Sequence, residues 1–368
     1  MKKGILISVI ISITVLSGLI FISFNKQIKI VSPLGDLSKI KEKPLEKYTF
    51  DNLRKTNFTG SEISIGKLLK DGDGFSSYMF YYYVKDKKVS GLINLPKNDG
   101  TYPVVVMIRG YVDHDKYSIG EGTRRSAETI ASSGFITLAP DFLGYGESDN
   151  PSNSSIEERF QTYTTALTLL TSIKNLNRGL ESISCNSDSG QARMTSFWGA
   201  SATPESKVNK NCLSTNVKAD IDKIGIWGHS NGGHIALSVL EISGKSYQTV
   251  LWAPVSKPFP YSILYFTDEF DDHGKALRRA VANFEKDYDI EKYSPTNYYS
   301  WINAPIQLHQ GEADEAVPLK WSDLLSETLK KLNKDVTYFT YSGENHNFNN
   351  GSWPTAIQRS INFYKEKL

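Results

Sequence analysis

The chain has 368 residues, of which 39% are hydrophobic and 22% charged, with a formal net charge of +2. This is ordinary globular material, enough for one large core or two modest ones, and it argues against disorder. With no strong field and no basic block to neutralise phosphates, nucleic acid is excluded as an expected partner.

Residues 4–24 carry no charged side chain and follow Lys2 and Lys3. Roughly 20 apolar residues are what a helix needs to span the hydrocarbon layer. A secretory signal has a shorter apolar run of about 7 to 15 residues and ends in small residues of the A-x-A type, which this stretch lacks. Residues 1–28 therefore read as an N-terminal membrane anchor, with a cleaved signal peptide as the alternative and a buried helix as a third reading. The two lysines place the amino end inside, so the body is expected outside the cytoplasm, membrane-anchored by one helix or secreted. Residues 29–75, rich in Lys, Asp and Pro, read as a stalk and linker.

Residues 76–368 read as one catalytic domain without internal repeats. Strands are expected at 77–84 and 88–95, joined by a turn at 86–88 as an antiparallel hairpin. Residues 102–109 contain the run Val104-Val105-Val106-Met107-Ile108, apolar on both faces as a strand covered on each side by helices should be. A helix at 122–133, a strand at 135–140 and a helix at 155–176 follow, the last with Glu157 and Glu158 where the helix dipole favours acids. Further strands are expected at 223–227, 249–253, 306–309 and 336–341, with helices at 232–242, 274–284, 320–332 and 354–365. Strands alternating with helices of 10 to 15 residues imply crossover units, hence an α/β fold with a mainly parallel central sheet flanked by helices.

Two insertions, about 177–216 and 256–301, interrupt this rhythm and are expected to form a lid. The first is polar and holds the only cysteines, Cys185 and Cys212. Outside the cytoplasm these can pair, and closing a loop of about 28 residues would stabilise by roughly 3 to 4 kcal/mol in the chain-entropy model. Two free thiols are the alternative.

The strongest chemical signal is Gly228-His229-Ser230-Asn231-Gly232-Gly233, between an expected strand and an expected helix. A serine hydroxyl is a poor nucleophile unless it is held exposed and a neighbour can take its proton. A G-x-S-x-G turn does the first, standing Ser230 at the top of the sheet, while the following helix aims the Asn231 N–H at a forming oxyanion. The acid and base should follow in the order Ser, Asp, His. The loop after strand 306–309 offers Glu312, Asp314 and Glu315, of which Asp314 has the short side chain suited to rigid support of an imidazole. Of six histidines, His229, His234 and His309 lie within elements and His114 and His273 in loops without a partner motif. His346 follows the last expected strand on a loop able to bring an imidazole to Ser230, where it can accept and return a proton near neutral pH. Arg109-Gly110-Tyr111 ends an apolar strand at the place where a second oxyanion donor is usually found; Tyr111 would donate through its hydroxyl or its backbone amide.

These features resemble the catalytic domain of the prolyl oligopeptidase family, with dienelactone hydrolases and acetyl-xylan-esterase-like proteins as near relations. The resemblance rests on Gly228 to Gly233, Gly311-x-x-Asp314-x-x-Val317-Pro318, Gly343-x-x-His346-x-Phe348, Tyr293-Ser294-Pro295 and the run Asp141-Phe142-Leu143-Gly144-Tyr145-Gly146-Glu147-Ser148, and covers residues 89–368. It implies an α/β-hydrolase fold with Ser230, Asp314 and His346 as the triad, and cleavage of an ester, amide or peptide bond through an acyl-enzyme with no metal or organic cofactor. One departure matters: fewer than about 90 residues separate the apolar N-terminal segment from the first sheet strands, too few for even a four-bladed propeller. Small esters, small amides and short peptides are thus the expected substrates. The competing readings are an acyltransferase or thioesterase, and a non-catalytic binding module on the same scaffold.

Overall fold

A computed structural model describes residues 42–183 and 216–368. The apolar N-terminal segment, Cys185, Cys212 and most of the first insertion lie outside the described residues. Among those described, no helix is long and apolar enough to cross a membrane.

A nine-stranded sheet runs in the order β1-β2-β3-β5-β4-β6-β7-β8-β9. The expected hairpin is β2 (Phe75–Val84) with β3 (Lys87–Pro96), paired without a break from Phe75 opposite Pro96 to Val84 opposite Lys87. The sheet then turns parallel through β4 (Gly100–Ile108), β5 (Ile136–Pro140), β6 (Val217–His229), β7 (Gln248–Trp252), β8 (Ile306–Gly311) and β9 (Val336–Tyr341). In β4 the two-residue alternation of a strand sends Val104, Val106 and Ile108 into the core on one face and Val105 and Met107 into the core on the other. All five are fully buried, which explains the continuous apolar run. The first core is closed by the helices Ser155–Ser172 and Asn231–Ser243, the second by Arg124–Ser132 and Trp353–Lys367.

The stalk assigned to 29–75 is corrected from residue 44 onward. Helix Phe50–Lys55 and strand β1 (Ser64–Asp71) belong to the folded body, with Phe50, Leu53 and Ile63 buried in the main core. The scattered apolar residues of this segment are its anchors, and its charges face water. β1 pairs antiparallel with β2 through irregular register, which breaks the alternation that would have marked it as a strand. Lys67 and Lys70 on this edge make ion pairs with Glu147 and Glu128, charges of the sort that discourage pairing with another chain.

β6 begins six residues before the expected start, at Val217, because Val217 to Asp220 pair with Gly100 to Pro103 before a register shift. Lys218, Asp222 and Lys223 at its exposed positions mask the strand in the sequence. The first insertion also starts later than 177: helix Leu176–Glu181 buries Leu176 and Leu180, and the Asn177 amide accepts from Ala219 N at 2.7 Å and donates to Ala219 O at 3.0 Å. The second insertion is held by aromatics, with Phe259, Phe284 and Tyr293 packed around Phe160 at centroid distances of 5.4, 5.9 and 5.0 Å.

Candidate active site

Strand β6 ends at His229 and helix Asn231–Ser243 starts two residues later, so Ser230 occupies the reversal. Its backbone has φ 58° and ψ −123°, a region costing of order 1–3 kcal/mol for a residue with a side chain. The strain is held by backbone hydrogen bonds: Ser230 N donates to Trp252 O at 2.9 Å, and Ser230 O accepts from Gly233 N and Val255 N, each at 3.0 Å. The turn also packs directly on β4. A Cβ at Gly232 would lie 2.0 Å from Ile108 O, so only glycine permits this approach.

His346 Nδ1 lies 2.8 Å from Asp314 Oδ2. Asp314 Oδ2 also accepts from Gln310 Nε2 at 2.8 Å, and Oδ1 accepts from Ala316 N at 2.9 Å and Val317 N at 2.7 Å. The Asp314 side chain is sealed from solvent. Burial alone would raise its pKa, but His346 and the two backbone N–H groups outweigh it and hold the carboxyl below its ordinary range. Of the three candidate acids, then, Asp314 meets the imidazole. Glu315 instead accepts from the His346 backbone N–H at 3.3 Å.

Other residues fix the imidazole from behind. The His229 ring packs on the His346 ring at 4.6 Å, and its Nε2 lies 3.0 Å from His346 O. Burial and the neighbouring His346 push its pKa down to about 3, so it stays a neutral prop. Glu344, almost wholly buried, accepts from the backbone N–H groups of Asn350 at 2.5 Å and Ser352 at 2.7 Å, tying the histidine loop to the start of the last helix. His234 bonds Tyr163 and Val255, and His309 bonds Gln307 and Tyr341, as the elimination among histidines anticipates. Sequence reasoning missed Gln310, whose amide is gripped by Ser322 Oγ at 2.7 Å and Val317 O at 3.1 Å. Its position in Gln310-Gly311-x-x-Asp314, four residues before the acid at a strand end, was the available signal.

Ser230 and His346 line one cavity of about 490 Å³. No hydrogen bond joins the Ser230 hydroxyl to the imidazole in this structure without substrate, a state in which such bonds are often open. The loop after β5 supplies Phe142 and Tyr145 to one wall, and the second insertion supplies Ile263, Phe266 and Phe270 to another. That loop is pinned by Asp141, whose carboxylate accepts from Ser90 Oγ at 2.5 Å and from the Tyr117 hydroxyl. Arg109 lies over the Tyr145 ring at 4.0 Å and donates to Asp141 O at 3.1 Å, bracing the same wall.

Gly110 sits against Ser230: a Cβ there would lie 3.0 Å from Ser230 Cβ. This places the adjoining Tyr111 amide at the rim of the site. The Tyr111 side chain is 66% exposed, and partial desolvation together with a hydrogen bond to Asp113 pushes its phenol up to about 12. Of the two ways Tyr111 was expected to donate, this geometry favours the backbone amide. The Asn231 N–H opens its helix and has no intrahelical acceptor, while its side-chain Oδ1 accepts from Arg159 Nη2 at 3.2 Å. Among the described residues no group of three His, Cys, Asp or Glu side chains is arranged to hold a metal ion.

A model of the prolyl oligopeptidase family matches residues 207–368. An uncharacterized peptidase of Bacillus subtilis (strain 168), YtmA, is 24% identical over 274 residues, covering 74% of this chain and 86% of the relative. Among solved structures, an acetyl xylan esterase from Paenibacillus sp. R4 matches with a TM-score of 0.54 at 15% identity, over 89% of this chain and 96% of that one. The acylaminoacyl peptidase of Pyrococcus horikoshii matches with a TM-score of 0.52 at 18% identity, over 81% of this chain and 42% of that one. At these identities the likeness to the solved structures is one of fold.

Proposed function

We propose that this α/β-hydrolase superfamily protein, which resembles the prolyl oligopeptidase catalytic domain, is a serine hydrolase that cleaves a small ester, amide or short peptide through an acyl-enzyme. The single observation that carries the reading is the 2.8 Å contact of His346 Nδ1 with a sealed Asp314 carboxylate, facing the same cavity as Ser230 on its strained turn. A carboxylate at Nδ1 fixes the tautomer with Nε2 free to accept a proton. Ser230 Oγ attacks the acyl carbon as its proton passes to His346 Nε2. The tetrahedral oxyanion is met by the Asn231 N–H and, from the rim, the Tyr111 N–H. The imidazolium returns the proton to the leaving group, and water repeats the cycle in reverse to free the acid and Ser230. Preorganised donors of this kind are each worth roughly a hundredfold or more in rate.

The substrate is supported only as a class. The cavity walls contributed by Phe142, Ile263, Phe266 and Phe270 suit an apolar acyl or side-chain group. The uncharged residues 4–24 behind Lys2 and Lys3 support a catalytic domain held at the outer face of a membrane or released from it. The test is a panel of p-nitrophenyl esters beside aminoacyl p-nitroanilides, run on wild type and Ser230→Ala. Turnover of at least one set by wild type, and none by Ser230→Ala, is expected; activity that survives in Ser230→Ala contradicts the proposal.

A further inference from the structure

Two guanidinium groups line the cavity, Arg109 and Arg159, and they differ in how they are occupied. Arg109 is spent on the protein: it donates to Gly110 O and Asp141 O and lies over the rings of Tyr145 and Tyr117 at 4.0 and 4.8 Å. Arg159, from helix Ser155–Ser172, donates to Asn231 Oδ1 at 3.2 Å and lies beside the Tyr163 hydroxyl. Its Nε, like that of Arg109, is sealed from water without an acceptor. Among the described residues no carboxylate lies within 4.0 Å of it, although a guanidinium offers five donors in a fork that fits a carboxylate. Its sequence neighbour Glu158 also lines the cavity but forms no ion pair with it, and burial raises the pKa of that acid. A buried guanidinium with no protein carboxylate in ion-pair contact is costly, and a ligand's anion would relieve that cost.

We propose that Arg159 is a binding residue for a carboxylate carried by the substrate, so that the cavity is selective for anionic esters or amides over neutral ones of the same length. The inference rests on the serine hydrolase reading of Ser230. Arg159 is tied to Asn231, the residue beside the nucleophile, which puts the captured carboxylate a few bonds from the scissile carbon. The carboxylate belongs to the acyl part or to the leaving group, and the two arms of the test distinguish them.

The test compares kcat/KM for two matched pairs in wild type and Arg159→Met. The first pair is mono-p-nitrophenyl adipate and p-nitrophenyl hexanoate; the second is the hexanoyl ester of 3-hydroxybenzoate and phenyl hexanoate. Arg159→Met is expected to lower the anionic member of one pair by about 10- to 100-fold, the range of a charge-assisted contact, and its neutral partner by less than about threefold. Arg159→Lys is expected to recover part of the loss, because it keeps the charge without the fork. Equal losses on anionic and neutral esters would overturn the proposal by showing that Arg159 only holds Asn231 in place, and so would no loss on any. Should Arg159→Met not fold, wild type alone decides: a preference above about a hundredfold for the neutral member of both pairs is incompatible with an anion partner in the cavity. Labelling of wild type and Arg159→Met by a fluorophosphonate separates the two levels. Labelled protein with no anionic preference sinks only this inference, whereas wild type that takes no label and hydrolyses none of the four esters sinks the hydrolase reading beneath it.

Discussion

Replacing Asp314 by Asn removes one negative charge while keeping the shape of the side chain, and the surroundings of that carboxylate leave the amide no comfortable orientation. Oδ2 accepts from His346 Nδ1 and Gln310 Nε2, and Oδ1 accepts from the backbone N–H groups of Ala316 and Val317. With its NH2 toward Ala316 and Val317, the amide opposes two backbone donors with a third. With its NH2 toward His346, it forces Nδ1 to become an acceptor, so the proton moves to Nε2 and the imidazole can no longer take one from Ser230. The first orientation forfeits charge-assisted hydrogen bonds and should cost about 2–4 kcal/mol of stability; the second should lower kcat by about 10⁴, as the wrong tautomer does in other Ser-His-Asp triads. The sign of the pH dependence follows from the depressed Asp314 pKa. A carboxyl held below its unfolded value of about 3.9 contributes stability above that pH, and the contribution is lost as pH falls through the folded value. Ester hydrolysis measures the loss of kcat, and urea unfolding of both proteins as a function of pH measures the loss of stability. A kcat within tenfold of wild type, or a stability gap that does not narrow below about pH 4, would refute the reasoning.

With the Tyr111 backbone amide proposed as the rim donor, Tyr111→Phe should leave turnover within about threefold of wild type; a loss of roughly a hundredfold in steady-state hydrolysis would restore the hydroxyl as donor. Burial pushes His229, His234 and His309 down to about 3 each. Because the unfolded chain takes up protons near pH 6.5 and the folded chain does not, the stability present above that pH is lost as pH falls toward about 3. The slope should approach about 1.4 kcal/mol per pH unit for each histidine, or ~4 for the three together, and a flat urea-unfolding free energy between pH 6 and pH 4 would contradict it. Thiol titration of protein prepared without reductant should find no free thiol before reduction and two after, from Cys185 and Cys212; two before reduction would end the expectation that they pair.

The parts of the site legible in the sequence are those whose residue types are dictated locally. The turn at Ser230 demands glycines where a side chain would collide, Gly232 with β4, Gly228 with the start of the following helix and Gly233 with Pro254, so all three mark it without any knowledge of the fold. The presence of β4, β6, β7 and β8 is legible because strands covered on both faces cannot hide their apolar runs. Strand β1 and helix Phe50–Lys55 were not, because an edge position lets Lys67 and Lys70 face water and leaves only Phe50, Leu53 and Ile63 to betray packing. Contacts between distant segments left little or no local trace: Gln310 is marked only by its spacing from Asp314, His229 is an ordinary residue until the histidine loop lies beside it, and Arg159 meets Asn231 only because helix Ser155–Ser172 packs along the helix that follows Ser230. The choice between phenol and amide at Tyr111 likewise needed the position of Gly110 against Ser230.

The central claim is that Ser230 is a hydroxyl made reactive by His346 and Asp314. Its most direct test is intact-protein and peptide mass spectrometry after treatment with a fluorophosphonate at neutral pH. One adduct per chain is expected, located on the peptide containing Ser230, formed far more slowly in His346→Ala and absent from Ser230→Ala. An adduct on another residue, or a folded wild-type protein that stays unmodified, would contradict it.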